Sequence, residues 1–125
     1  MSEPIRYFNN AKEILSKAKI EDNRYVDVKY VQEACGTAYL AVLKAIDEYL
    51  ITKKGMSKKE LPRSVDAYRI ALKRHLAVRN GKLSREFGDI YDELHIAGYY
   101  HGDLHHVDTV KGALKAAREF IDKLK

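Results

Sequence analysis

The sequence predicts an all-α protein, an antiparallel four- to five-helix bundle made by one domain over residues 1–125. Three observations carry this. Apolar residues recur at steps of three and four along most of the chain, and no run alternates as a strand would. Apolar and charged residues make up 46% and 33% of the 125, the balance of a globular domain with its own core. Seven glycines and two prolines are too few for a linker-rich or low-complexity chain.

The first helix is expected from Pro4 to Lys19. Proline suits a first turn, where its missing N–H would be unpaired anyway. Phe8, Ala11, Leu15 and Ala18 make one apolar stripe. Ile20 to Arg24 reads as a polar turn. The second helix, Tyr25 to Lys54, is the longest. Val28, Val31, Cys35, Ala38, Val42, Ala45 and Tyr49 form one row, and Tyr39, Leu43, Ile46 and Leu50 a second. So wide an apolar face calls for more than one neighbour and makes this helix central. Lys53 and Lys54 suit the negative end of the dipole, and Gly55 is a natural stop. Met56 to Pro62 is a loop.

Ser64 caps a third helix whose inner face is Val65, Tyr68, Leu72 and Leu76 or His75, with Asn80-Gly81 ending it. The fourth runs from Lys82 to Gly98, with Leu83, Phe87, Ile90, Leu94 and Ala97 inward. Tyr99 to Asp103 is a polar aromatic connection. The fifth runs from His106 to Leu124 on Val107, Val110, Leu114, Ala117, Ile121 and Leu124.

Composition also excludes. The single cysteine, Cys35, cannot close an intrachain disulfide, which fits a reducing interior or a thiol that is merely packed, and its place on an apolar helix face favours packing over reactivity. The apolar stretch Ala38 to Ile46 is broken by Lys44 and too short to span a bilayer. No secretory signal opens the chain. A cytoplasmic protein without membrane association is expected. There is no glycine-rich phosphate loop, CxxC or HExxH motif, and no cofactor is implied. Asp89, Asp92 and Glu93 read as the solvated face of the fourth helix.

Net charge is +5, unevenly spread. Residues 51–85 carry eleven Lys and Arg against Glu60 and Asp66, a segment of +9 on a remainder of −4. This is the footprint of either a solvated basic surface or a site for a phosphate-rich partner. Arg69 and Lys73, beside Tyr68, are its candidate contacts.

Taken in order, AKEILSKA, the Tyr-rich start of the second helix, ACGTAYLAVLKAIDEYL, and IYDELHIAGYYHG before VDTVKGALKAAREFIDKL resemble small HEPN-type helical domains. The Gly98–Gly102 corner and the Ala117–Ile121 stretch resemble that family's aromatic corner and Ala-rich last helix. The resemblance implies a four- to five-helix bundle, frequent homodimers, and RNA cleavage, RNA or nucleotide binding, or partnership with a nucleotidyltransferase. Nucleases of the family place four to six residues between an Arg and the His that follows it. Here only Arg69 and His75 have that spacing; Ile70, not a polar residue, follows the Arg, and six helical positions separate two side chains by about 240°. Where the motif is expected, His95 and His101 stand instead, without the fixed fork of a guanidinium.

His95, His101, His105 and His106, with Asp103 and Asp108, fall within fourteen residues. Three roles suit them: a divalent-metal site, though no two share a helix face; a nucleotide- or RNA-contacting corner with Tyr99 and Tyr100 as stacking faces, His101 as donor and Asp103 nearby; or a polar loop in which His101 or Asp103 completes backbone hydrogen bonds and Asp108 supports the last helix. The polar loop is the preferred role, and no metal is expected. The leading expectation is a non-enzymatic HEPN-like interaction module, homodimeric through some of its nine tyrosines, with a protein, nucleotide or RNA partner. The alternatives are a toxin-like ribonuclease using His95 and His101, and a purely structural assembly protein.

Overall fold

Helix α1 (Glu3–Ser16) carries Pro4 in its first turn and buries Phe8, Ala11 and Leu15. It ends three residues short of the expected Lys19. The chain instead turns into a small antiparallel hairpin, β1 (Ile20–Glu21) with β2 (Arg24–Tyr25), pairing Ile20 with Tyr25. Asp22 and Asn23 hold positive φ angles of 49° and 61° between the strands, a conformation that Asp and Asn tolerate best after glycine. The polar turn expected here is present, but the strands flanking it, two residues each, are too short for alternation to reveal.

Those strands also correct the start of the long helix. Tyr25 is buried in the hairpin, its N–H donating to the His105 carbonyl at 2.8 Å, so α2 spans Val28–Lys54. Asp27 caps it by accepting from the Lys29 N–H at 3.0 Å, and Gly55 closes it in the left-handed region at φ 67°. Most of the wide face is buried as expected, from Val31 to Leu50, with Val28, Leu43 and Tyr49 half-buried, and α2 packs against α1, α5 and the last part of the fourth helix. The Met56–Pro62 loop contains one 3-10 turn, Lys58–Glu60, closed by a reciprocal Ser57–Glu60 capping box.

The computed structural model describes residues 2–76 and 81–125. Helix α3 (Val65–His75) begins where Ser64 accepts from the Ala67 N–H at 3.1 Å. It ends before the expected stop; Asn80 lies outside the described residues, and Gly81, in the left-handed region at φ 74°, caps the next helix instead. The Tyr68 hydroxyl donates to Asp47 Oδ1 at 2.8 Å and ties α3 to α2.

The fourth helix departs most from expectation. Helix α4 (Lys82–Ile90) is regular, but its continuation, Tyr91–Tyr100, is a ten-residue π-helix. In that wider coil Leu94 and Gly98 are buried, while Ala97, expected inward, is half-buried. Tyr99 and Tyr100 therefore end a helix rather than form a connection. The stop has a clear cause: Gly102 takes φ 64°, and the Asp103 N–H reaches back to the Ala97 carbonyl at 2.9 Å.

Helix α5 (Val107–Lys123) follows, with His106 as its flanking residue, and buries Val110, Ala113, Leu114, Ala117, Phe120 and Ile121. All five α-helices contribute to one contiguous apolar core. No described helix is long and apolar enough to cross a membrane.

Candidate functional site

Where the π-helix crosses α2, three rings gather around His95. Tyr39, buried on α2, stacks on the imidazole with centroids 4.8 Å apart. Tyr91 lies 5.3 Å from the imidazole and Tyr99 stacks on it at 5.7 Å, nearly parallel at 16°. Tyr91, His95 and Tyr99 are four residues apart, a spacing that sets them in one column along the helix. Phe87, one turn earlier in α4, continues the column into the core, 6.3 Å from Tyr39.

Two glycines and one glutamine make this crossing. A Cβ on Gly98 would lie 2.7 Å from Cys35 Sγ and 2.8 Å from Cys35 Cβ, so only glycine lets the π-helix approach α2 so closely. A Cβ on Gly36 would lie 2.7 Å from the Tyr99 ring, which rests across the bare backbone of α2. Gln32 Nε2 donates to the Tyr99 carbonyl at 3.0 Å, satisfying an acceptor that the end of the helix leaves open.

Arg69 reaches this column from α3. Its guanidinium sits 5.4 Å from the centre of the Tyr91 ring, a cation–π contact. Burial pushes the Tyr39 phenol up to about 12, with Tyr91 adding to the shift and Arg69 opposing it, so the phenol stays neutral at physiological pH. Arg69 joins Tyr91, the neighbour of His95.

At the outer end of the column Tyr99 is 48% exposed and Tyr100 70% exposed. They border a shallow cavity of about 380 Å³ with Lys29, Gln32 and Glu33. His101 is exposed and meets Tyr100 edge-on at 5.0 Å, separate from the His95 stack. Asp103 contributes its backbone N–H to the helix stop. Lys73 is exposed one turn beyond Arg69 on α3. The carbonyl of His105 and the backbone of His106 are occupied in joining the loop to the hairpin. Asp108 stands in the first turn of α5 and accepts a long 3.5 Å contact from Asn23 Nδ2. Among the described residues no three His, Cys, Asp or Glu side chains come together as metal ligands would.

The imidazole of His95 is held by rings, and no carboxylate hydrogen-bonds to it among the described residues. General acid–base work asks for an orienting partner and for reach to a substrate proton. What the arrangement does offer is a rigid aromatic surface. The basic segment contributes little to it: Lys53 and Lys54 end α2, and Lys58 and Lys59 lie on the 3-10 turn. Arg79 lies outside the described residues, and Arg69 is the residue of the segment seen to touch the column. Burial lifts the Cys35 thiol to about 12, as expected of a packed, unreactive cysteine.

Gln32 and Gly36 carry no role in the sequence reading, while Tyr39 reads only as part of an apolar row and Gly98 as the start of the aromatic corner. The signal for Gly36 and Gly98 is a glycine within an otherwise helical pattern, which costs stability unless a close approach needs it.

No curated protein matches the chain. Among solved structures it is similar to a protein of unknown function from Dyadobacter fermentans, at 36% identity over 98% of this chain and 89% of that one, with a TM-score of 0.76. A domain family of unknown function, DUF5618, matches residues 1–125. The chain, with its helical bundle and its aromatic column, belongs to the DUF5618 family.

Proposed function

We propose that the protein is a non-enzymatic, HEPN-like interaction module that works as a homodimer, with Tyr99 and Tyr100 at the centre of the surface that the second copy covers. One observation carries this reading. Two large aromatic side chains stand exposed at the end of a helix whose backbone is held by stacking on His95 and by the Gln32 hydrogen bond. Ordering is thus prepaid, and tyrosines held in this way bury area at little entropic cost. The surroundings favour a protein partner over a phosphate-rich one: the adjoining cavity presents one cation, Lys29, and one acid, Glu33. Nucleic-acid binding rests on several cations acting together.

Sedimentation of the purified chain tests this. The parent is expected to sediment as a dimer at tens of micromolar, and Tyr100→Ser as a monomer with unchanged helicity. A parent that stays monomeric at high concentration overturns the reading.

A second reading, RNA cleavage through His95 and His101, has one observation in its favour: Arg69 and His95 both contact Tyr91. Incubation with a mixed RNA pool decides it. Cleavage by the parent that His95→Ala and His101→Ala abolish would replace the binding role with an enzymatic one.

A further inference from the structure

On the opposite side of α2's partners, α1 and α5 lie antiparallel with a groove between them. The direction follows from the hairpin, which carries the end of α1 to the start of α5, and from Arg118 in α5 lying 5.8 Å from the Phe8 ring in α1. The groove encloses about 700 Å³. Its floor is apolar: Phe8, Leu15, Ala18, Tyr25 and Leu114, continued at the hairpin end by Ile20, which is 49% exposed.

Its rims are cationic. Lys12 stands on the α1 side, and Lys111, Lys115 and Arg118 on the α5 side, against the single acid Glu119. Arg118 is engaged by Asp122 at 3.2 Å. Lys12, Lys111 and Lys115 make no ion pair among the described residues.

We propose that this groove docks an amphipathic helix of a partner protein whose apolar stripe is flanked by acidic residues. Length and charge placement select that occupant. Phe8 to Leu15 spans about 10 Å of α1 at 1.5 Å per residue, two turns of a docked helix. Three cations, Lys111, Lys115 and Arg118, are spaced along the α5 rim over that length, and Lys12 faces them from the α1 rim. A single-headed amphiphile would want them gathered at one end, whereas an acidic helix presents carboxylates on both sides of its stripe along its whole course. The site is separate from the Tyr99–Tyr100 surface and does not depend on the dimer reading.

The probe is a fluorescein-labelled helical peptide with Leu at i, i+3, i+4 and i+7 and Glu on both flanks, titrated against the full chain by anisotropy. Two control peptides carry Lys in place of every Glu, or Ser in place of every Leu. The Glu peptide is expected to bind, more weakly as salt rises, and both controls to fail. The double variant Lys111→Glu with Lys115→Glu alters exposed side chains, so its helicity should match the parent. It is expected to lose about tenfold or more in affinity for the Glu peptide and to gain binding of the Lys peptide. Tyr100→Ser should bind the Glu peptide as the parent does.

The proposal is overturned if the Glu peptide shows no binding near 1 mM, about −4 kcal/mol, if the double variant binds it equally well, or if the Ser peptide binds as well as the Leu one. Dodecyl phosphate binding that the double variant abolishes, without peptide binding, would assign the groove to a small amphiphile. A dimer dissolved by the double variant would assign it to a second copy. Either result also overturns the proposal.

Discussion

Gly98 and Gly112 sit in consecutive helices and stand in opposite surroundings. At Gly98 an added methyl group would collide with Cys35 and come within 3.1 Å of the Glu93 carbonyl. At Gly112, on the exposed face of α5, it would meet nothing within 4 Å. One glycine is a packing device and the other is a site of avoidable backbone entropy. The difference separates two halves of the molecule: a tightly closed contact between α2 and the π-helix, and an outer helix whose exposed face is free to change. Rare wide coils of the π type are frequent at functional sites, and here the wide coil carries Tyr91, His95 and Tyr99 along one face.

The sharpest way to break that contrast is Gly98→Ala. The atoms its methyl meets belong to a buried cysteine and to backbone, neither of which can swing aside. A loss of about 1–3 kcal/mol is expected, the usual cost of overpacking a core. Urea denaturation followed by circular dichroism measures it. Adding Cys35→Ala removes the Sγ collision, so the double change should cost less than the sum of the two single changes, a coupling of about 0.5–3 kcal/mol. Strict additivity would mean that the close approach at Gly98 is not what holds the two helices in place.

Gln32→Ala attacks the same contact from α2. It leaves the Tyr99 carbonyl without its partner, and a typical hydrogen bond contributes about 0.5–1.5 kcal/mol net. Hydrogen exchange of the His101 and Asp103 amides, which close the helix end, should accelerate in the variant while the amides of α1 remain protected. Uniform acceleration across the chain would mean that Gln32 supports the whole fold and not this corner.

How much of this was legible beforehand follows the same division. α1, α2 and α5 repeat their apolar residues at ordinary helical spacing, so their buried faces could be read directly, and Ser64 and Gly55 act at the ends assigned to them. The π-helix could not be read that way. Leu94 and Ala97 fit a normal helical stripe, and nothing in their identity says that the coil widens and buries Gly98 instead. The hairpin was equally hidden, since two-residue strands carry no period. At the site, Tyr99, Tyr100 and His101 were visible as a cluster of suggestive residue types. That His95 belongs to a stack with Tyr39, and that Arg69 arrives from α3, are long-range facts that local spacing cannot contain. Lys111 and Lys115 were readable as a helical pair, but the groove they border exists only once α1 lies beside α5.

Gly112→Ala probes the other half. With a helical backbone, open space around the new methyl and no positive φ, the substitution should stabilise the protein by about 0.4–1 kcal/mol, mainly by restricting the unfolded chain. A rise in Tm confirms the reading, and a fall would mean that the outer face of α5 is covered by something the bare glycine admits.

The smallest effect is a dependence on pH, and its sign differs between the α2–π-helix side and α1. Partial burial, aided by neighbouring Asp89, holds the Glu93 carboxyl on the π-helix above its ordinary range. Burial likewise raises Asp47, although the Tyr68 hydrogen bond and Lys44 pull it back. A folded state that raises a carboxyl's pKa binds the proton more tightly than the unfolded chain does. The stability this provides is complete below the ordinary carboxyl range and is lost as pH rises through the raised value. On α1 the hydrogen bond from Arg6 lowers Glu3, and its contribution runs the other way, disappearing as pH falls through the lowered value. Unfolding free energies measured from acid to neutral pH should therefore show, for Glu93→Gln, a smaller decline above the carboxyl range than the parent shows. Glu3→Gln should instead flatten the acid limb and leave the upper limb alone. If Glu93→Gln tracks the parent at every pH, that carboxyl is as well hydrated in the folded protein as in the unfolded chain, and the close packing argued for the α2–π-helix side stops short of its outer edge.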